Sequence, residues 1–154
     1  MYLWKINELK ADLKSSLVSE RDFFLYLFIP ALLFAAAFEW ALKMSPEDIN
    51  DWDTIYCIGS IFIIFVGSIL CFVGNGGNQG SDFLKRYISI SFVMAVRLIL
   101  WMLLLFIPIF IYYYYTITED SDLASSAADT IPFLLLEALY YWRIYVHIQD
   151  VKDT

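Results

Sequence analysis

Near its carboxyl end the chain reads IPFLLLEALYYWRIYVHI, an apolar stretch that nonetheless carries Glu137, Arg143 and His147. Projected as a helix, Glu137, Tyr140, Arg143 and His147 fall within about 120° of the wheel, together with Phe133 and Leu136. A carboxylate, a phenol, a guanidinium and an imidazole on one stripe can do two kinds of chemistry. They can carry protons or cations along a polar track, or they can orient neighbouring helices through buried ion pairs. The preceding apolar run holds Arg97, and an antiparallel arrangement at about 1.5 Å of rise per residue brings it within side-chain reach of Glu137. The spacing therefore predicts an Arg97–Glu137 ion pair. Glu39, near the end of the first apolar run, either lines the same vestibule or extends its carboxylate to the surface.

Other chemistries lack their residues. The chain has one histidine and two cysteines, and Cys57 and Cys71 lie in the same apolar run, about four helical turns apart, too far to bridge within one helix. A thiol oxidoreductase, a multihaem cytochrome and a serine or metal hydrolase are excluded on that ground. No catalytic residue, metal or cofactor is expected, and the chain does not read as an enzyme. The segment LCFVGNGGNQGSDFLKRY has Gly74, Gly76, Gly77 and Gly80, but it lacks the Gly-Lys-Ser/Thr ending, and Gln79 stands where a dinucleotide fingerprint needs its last glycine. No nucleotide or nucleic-acid binding follows from it. It reads as the end of one helix and the start of another, with Lys85 and Arg86 at headgroup height against lipid phosphate. A gate or partner-binding turn is the sharper alternative.

The elements that must position these groups are set by the solvent. Of 154 residues, 60% are hydrophobic and 19% aromatic, above the soluble norm of about half apolar. Four segments read as membrane helices: Phe23–Leu42, Thr54–Val73, Tyr87–Tyr115 and Ile131–His147. Three reach the length of about 20 residues that a bilayer needs, and the fourth is slightly short and charged. Because lipid offers no hydrogen bonds, each must be helical. Pro30 and Pro108 should kink the first and third. The predicted fold is all-α: a four-helix transmembrane domain at 23–147, an amino-terminal segment at 1–22 and a short tail at 148–154.

The amino-terminal segment has no secretory apolar core. Leu3, Ile6, Leu9, Leu13 and Leu17 recur every three or four residues, which predicts an amphipathic helix. It is expected in the headgroup layer, with Trp4 as anchor and Lys10 and Lys14 toward anionic lipid, or docked on a cytosolic protein. In the second span Cys57, Ser60, Gly67, Ser68, Cys71 and Gly74 share an arc of about 120°, suited to close helix packing inside the bundle or to self-association. Tyr112–Tyr115 reads as an interfacial anchor.

Orientation comes from the cations. Lys5, Lys10, Lys14, Arg21, Lys85, Arg86 and Lys152 fall on one set of connections and only Lys43 on the other, which places both termini in the cytoplasm of an inner (plasma) membrane. The opposite loops carry Glu47, Asp48, Asp51, Asp53, Glu119, Asp120, Asp122 and Asp129, an acidic mouth that would concentrate cations. The expected function is a homo-oligomeric, cation-favouring pore or the membrane subunit of a larger complex. The alternative is a non-conducting platform whose basic face recruits a cytoplasmic protein, for example in stress or phage defence.

Overall fold

The computed structural model describes residues 1–41, 50–116 and 126–152. Among them are five α-helices and no strand: α1 (Ile6–Lys14), α2 (Glu20–Ala41), α3 (Asp51–Gly74), α4 (Phe83–Thr116) and α5 (Ala127–Lys152), with a 3-10 turn at Gly77–Gln79. Glu47, Asp48, Glu119, Asp120, Asp122 and Lys43 lie outside the described residues. α3, α4 and α5 each cover a predicted span and overrun it, and α2 starts ahead of its span and is described to Ala41, because polar residues such as Glu20, Asp51 and Gln149 continue the helical turns beyond the apolar core.

Local chemistry accounts for the boundaries. Asn50 opens α3 by accepting hydrogen bonds from the amides of Trp52 (2.8 Å) and Asp53 (3.0 Å), while the Asp53 carboxylate accepts from the Asn50 amide at 3.0 Å. That reciprocal cap meets two amides that the first helical turn leaves unbonded. Gly76 closes the other end with φ 104°, a left-handed angle that glycine adopts without cost from a Cβ. Pro30 lies within α2 and does not end it.

Among the described residues three helices are long and apolar enough to cross a membrane: Glu20–Glu39, Asp51–Gly74 and Phe83–Leu104. The polar stripe of α5 lowers its apolarity, and it falls outside that group. α5 is nevertheless the organiser of the packing, with α3 along one side and α4 along another, and α2 joins the outer side of α4.

The pairings fix the directions. Glycines 59, 67 and 74 of α3 meet Leu134, Tyr141 and Tyr145 of α5 in the same order, so the two run parallel. Glu20 pairs with Lys85 at 2.8 Å and the Tyr26 and Phe92 rings lie 5.2 Å apart, so α2 and α4 also run parallel. Consequently the starts of α2 and α4, the ends of α3 and α5, and the glycine turn share one end of the molecule.

α1 packs over α4 and α5 at that end. Ile6, Leu9 and Leu13 are buried there with Val93, Ile144, Ile148 and Val151, rather than lying free along a headgroup layer. Leu3 and Leu17 depart from the predicted stripe and are 56% and 70% exposed, since the helix begins after one and ends before the other. The Lys10 ammonium meets the Asp150 carboxylate at 2.9 Å, which ties α1 to the last turns of α5.

Candidate functional site

The polar stripe of α5 is divided between two neighbouring helices and α5 itself. Half-buried Glu137 faces α3, where its Oε1 accepts from Ser60 Oγ at 3.0 Å. Its Oε2 is buried and has no hydrogen-bond partner. One helical turn on, Tyr140 faces α4 and donates to the Ser91 carbonyl at 3.0 Å. Arg143, also half-buried, lies with its guanidinium carbon 5.8 Å from the Trp142 ring. His147 is buried with Nδ1 3.6 Å from Asp150 Oδ2, and neither ring nitrogen makes a hydrogen bond.

Arg97 takes a partner that sequence spacing does not suggest. Its guanidinium donates to the Trp4 carbonyl and lies 5.1 Å over the Trp4 ring. The expected Arg97–Glu137 ion pair is therefore not formed. Depth along antiparallel helices was compatible with it, but rotation about the helix axis was not: Glu137 points to α3, and Arg97 points to the strand of chain preceding α1. The Arg97 Nε remains buried without a partner. Glu39 is exposed near the far end of α2 and takes no part in this cluster.

The small residues of α3 are used within the chain. Gly67 is covered by Tyr141, and a Cβ at that position would lie 2.5 Å from the ring's Cγ. Ser68 Oγ lies 3.2 Å from the Tyr87 hydroxyl. Cys71 is fully buried, with its Sγ 4.0 Å from the Tyr141 carbonyl, whereas Cys57 is exposed. Close approach of α3 to α5 is what these residues permit.

The basic groups at the α1 end differ in their freedom. Lys14 is exposed, Lys10 is paired with Asp150, and Lys85 is paired with exposed Glu20. The hydrogen bond from Lys10 holds the Asp150 carboxyl below its ordinary range. Nearby, the Tyr2 hydroxyl donates to Asp12 at 2.6 Å, and that bond pushes the phenol up to about 12. Arg86 is not presented to the surface: it is 7% exposed, and its Nη1 donates to Asn75 Oδ1 at 3.0 Å. Asn75 and Tyr2 enter these arrangements without a motif to announce them, and Trp4, expected as an interfacial anchor, meets Arg97. The only signal for Asn75 and Tyr2 is position, beside a glycine turn or at the chain's start. Comparison with known protein families, curated proteins and solved structures finds no match.

Proposed function

We propose that this chain is a non-enzymatic, multi-pass subunit of an inner (plasma) membrane, in which several copies enclose a cation-favouring polar path. α5 is read as a fourth crossing beside the three apolar helices, and the amphipathic α1 and both termini are assigned to the cytoplasm by the bias of flanking cations. The observation that carries the reading is the unmet hydrogen bonding of ionisable groups at membrane depth. Among the described residues Glu137 Oε2 and Arg97 Nε are buried without partners, and the Arg143 guanidinium lies against the Trp142 ring. Charged groups facing lipid are costly, so water in a path or a neighbouring subunit is the natural complement. The outer faces of the long helices are apolar enough to meet lipid or further copies, with Phe34, Phe65 and Phe110 exposed.

A second reading has its own observation. α1 seals the seam between α4 and α5 with Ile6, Leu9 and Leu13, and it leaves Lys14 facing outward. That geometry suits a platform whose cytoplasmic end binds anionic lipid or a soluble protein. Recording from purified protein in planar bilayers, with its oligomeric state determined in nanodiscs, separates the two. A ring of one subunit with cation-selective current altered by Glu137→Gln supports the path. A monomer with no current above background supports the platform. Labelling of cysteines introduced at Asn78 and Ser125 tests the orientation, and modification of both from the same side would overturn it.

A further inference from the structure

Among the described residues Arg86 is a buried cation without a buried anion. It is 7% exposed, and the described residues give its guanidinium one hydrogen bond, from Nη1 to the neutral amide oxygen of Asn75 at 3.0 Å. Its Nε is buried and has no partner. Asn75 is itself 1% exposed and is held in place by donating from Nδ2 to the Ser81 carbonyl at 3.0 Å. The side chain is thus fixed from behind by a residue that cannot neutralise it. A guanidinium has five donors and no acceptor, and removing it from water without an opposite charge is unfavourable.

Beside this group is a cleft of about 580 Å³, lined by Asn75, Gly76, Gly80, Ser81, Arg86 and Lys152 among others, with no acidic residue among the described residues of its wall. The turn is shaped to leave that space. Gly76 and Gly77 take left-handed φ angles of 104° and 56°, and a Cβ on Gly80 would lie 2.1 Å from the Asn75 carbonyl oxygen. The glycines therefore let the backbone close over Asn75 and keep side chains away from the opening. Lys152 comes in from the last turn of α5, its Cε 3.7 Å from where a Gly76 Cβ would stand.

We propose that this cleft is a binding site for a phosphate-bearing group, with Arg86 as the fixed cation and Lys152 as the mobile one. The chemistry favours phosphate over a monoanionic halide, because the guanidinium fork can donate in parallel to two oxygens of one phosphate. The site lies at the turn joining α3 to α4, so the phosphate comes either from an anionic lipid headgroup or from solution. Of the two residues expected to meet lipid phosphate, Lys85 is committed to Glu20, which leaves Arg86 to supply the contact from within the cleft.

The test uses the full chain in zwitterionic nanodiscs. Inorganic phosphate is titrated against sodium chloride of equal ionic strength, with the thermal unfolding midpoint as readout. In a parallel arm, nanodiscs of mixed phosphatidylcholine and phosphatidylglycerol are analysed by native mass spectrometry for retained lipid. The wild type should be stabilised saturably by phosphate or should retain phosphatidylglycerol. The first result alone identifies a soluble phosphate; retention that inorganic phosphate displaces identifies a headgroup. Lys152→Gln, at an exposed residue, should weaken either response about tenfold, the worth of one charge-assisted hydrogen bond. Arg86→Lys should keep a weakened response and Arg86→Gln should abolish it in whatever fraction retains wild-type helicity. Equal behaviour of the wild type and Lys152→Gln in both arms, or no response from the wild type in either, overturns the site.

Discussion

Gly67→Ala is the sharpest probe of the packing, since one methyl decides whether α3 can lie on α5. A Cβ at Gly67 would stand 2.5 Å from Cγ and Cδ1 of Tyr141 and 2.7 Å from its Cβ. Carbon atoms pack at about 3.5–4.0 Å, so the helices must part by about 1 Å. Rotating the ring cannot relieve this, because the Tyr141 Cβ is fixed to the α5 backbone. Overpacking of this kind costs about 1–3 kcal/mol, and the better helix propensity of alanine returns about 1 kcal/mol. A net loss of about 1 kcal/mol is expected. Gly59→Ala is the control: its Cβ meets only the Leu134 methyl tips at 3.0 Å, which can turn aside, so it should be neutral or mildly stabilising. In a Tyr141→Ala background the ring contacts vanish, and Gly67→Ala should become harmless, with a coupling of about 1–2 kcal/mol. Reversible unfolding in mixed micelles, followed by tryptophan fluorescence across a range of protein concentrations, measures all four species. Additive effects, or a Gly67→Ala loss that changes with protein concentration, would refute the intrachain contact and return this face to self-association.

The remaining expectations concern the polar groups. A double-mutant cycle on Arg97→Gln and Trp4→Ala should show coupling of about 0.5–2 kcal/mol from the stacked guanidinium, while Arg97→Gln and Glu137→Gln should be additive, because the two charges face different helices. The folded-state pKa of Asp150 lies below its ordinary 3.8, so its bridge to Lys10 contributes fully above that value and fades as pH falls through the lower one. Hydrogen-exchange protection factors across Ile6–Lys14, corrected for intrinsic rates, should therefore fall in that acidic window, and Asp150→Asn should remove that dependence. Gly80→Ala should lower folded yield more than Gly67→Ala, because its Cβ meets a backbone oxygen that cannot rotate away; equal yields would contradict the turn geometry.

Helix positions and the shared stripe of Glu137, Tyr140, Arg143 and His147 were legible in the sequence because both depend on local rules. An apolar run of membrane length has few alternatives to helix, and the helical repeat alone brings those residues to one side. The small-residue arc of α3 was legible for the same reason, but not which helix would fill it. Partnership depends on how each helix is rotated and on which neighbour stands where, and no local pattern carries that information. Tertiary structure therefore decided that Glu137 meets Ser60, that Arg97 meets Trp4, and that Tyr141 covers Gly67. It also turned Arg86 from a headgroup cation into a buried one: a glycine turn short enough to fold Asn75 beneath the start of α4 places a side-chain acceptor where water would otherwise be.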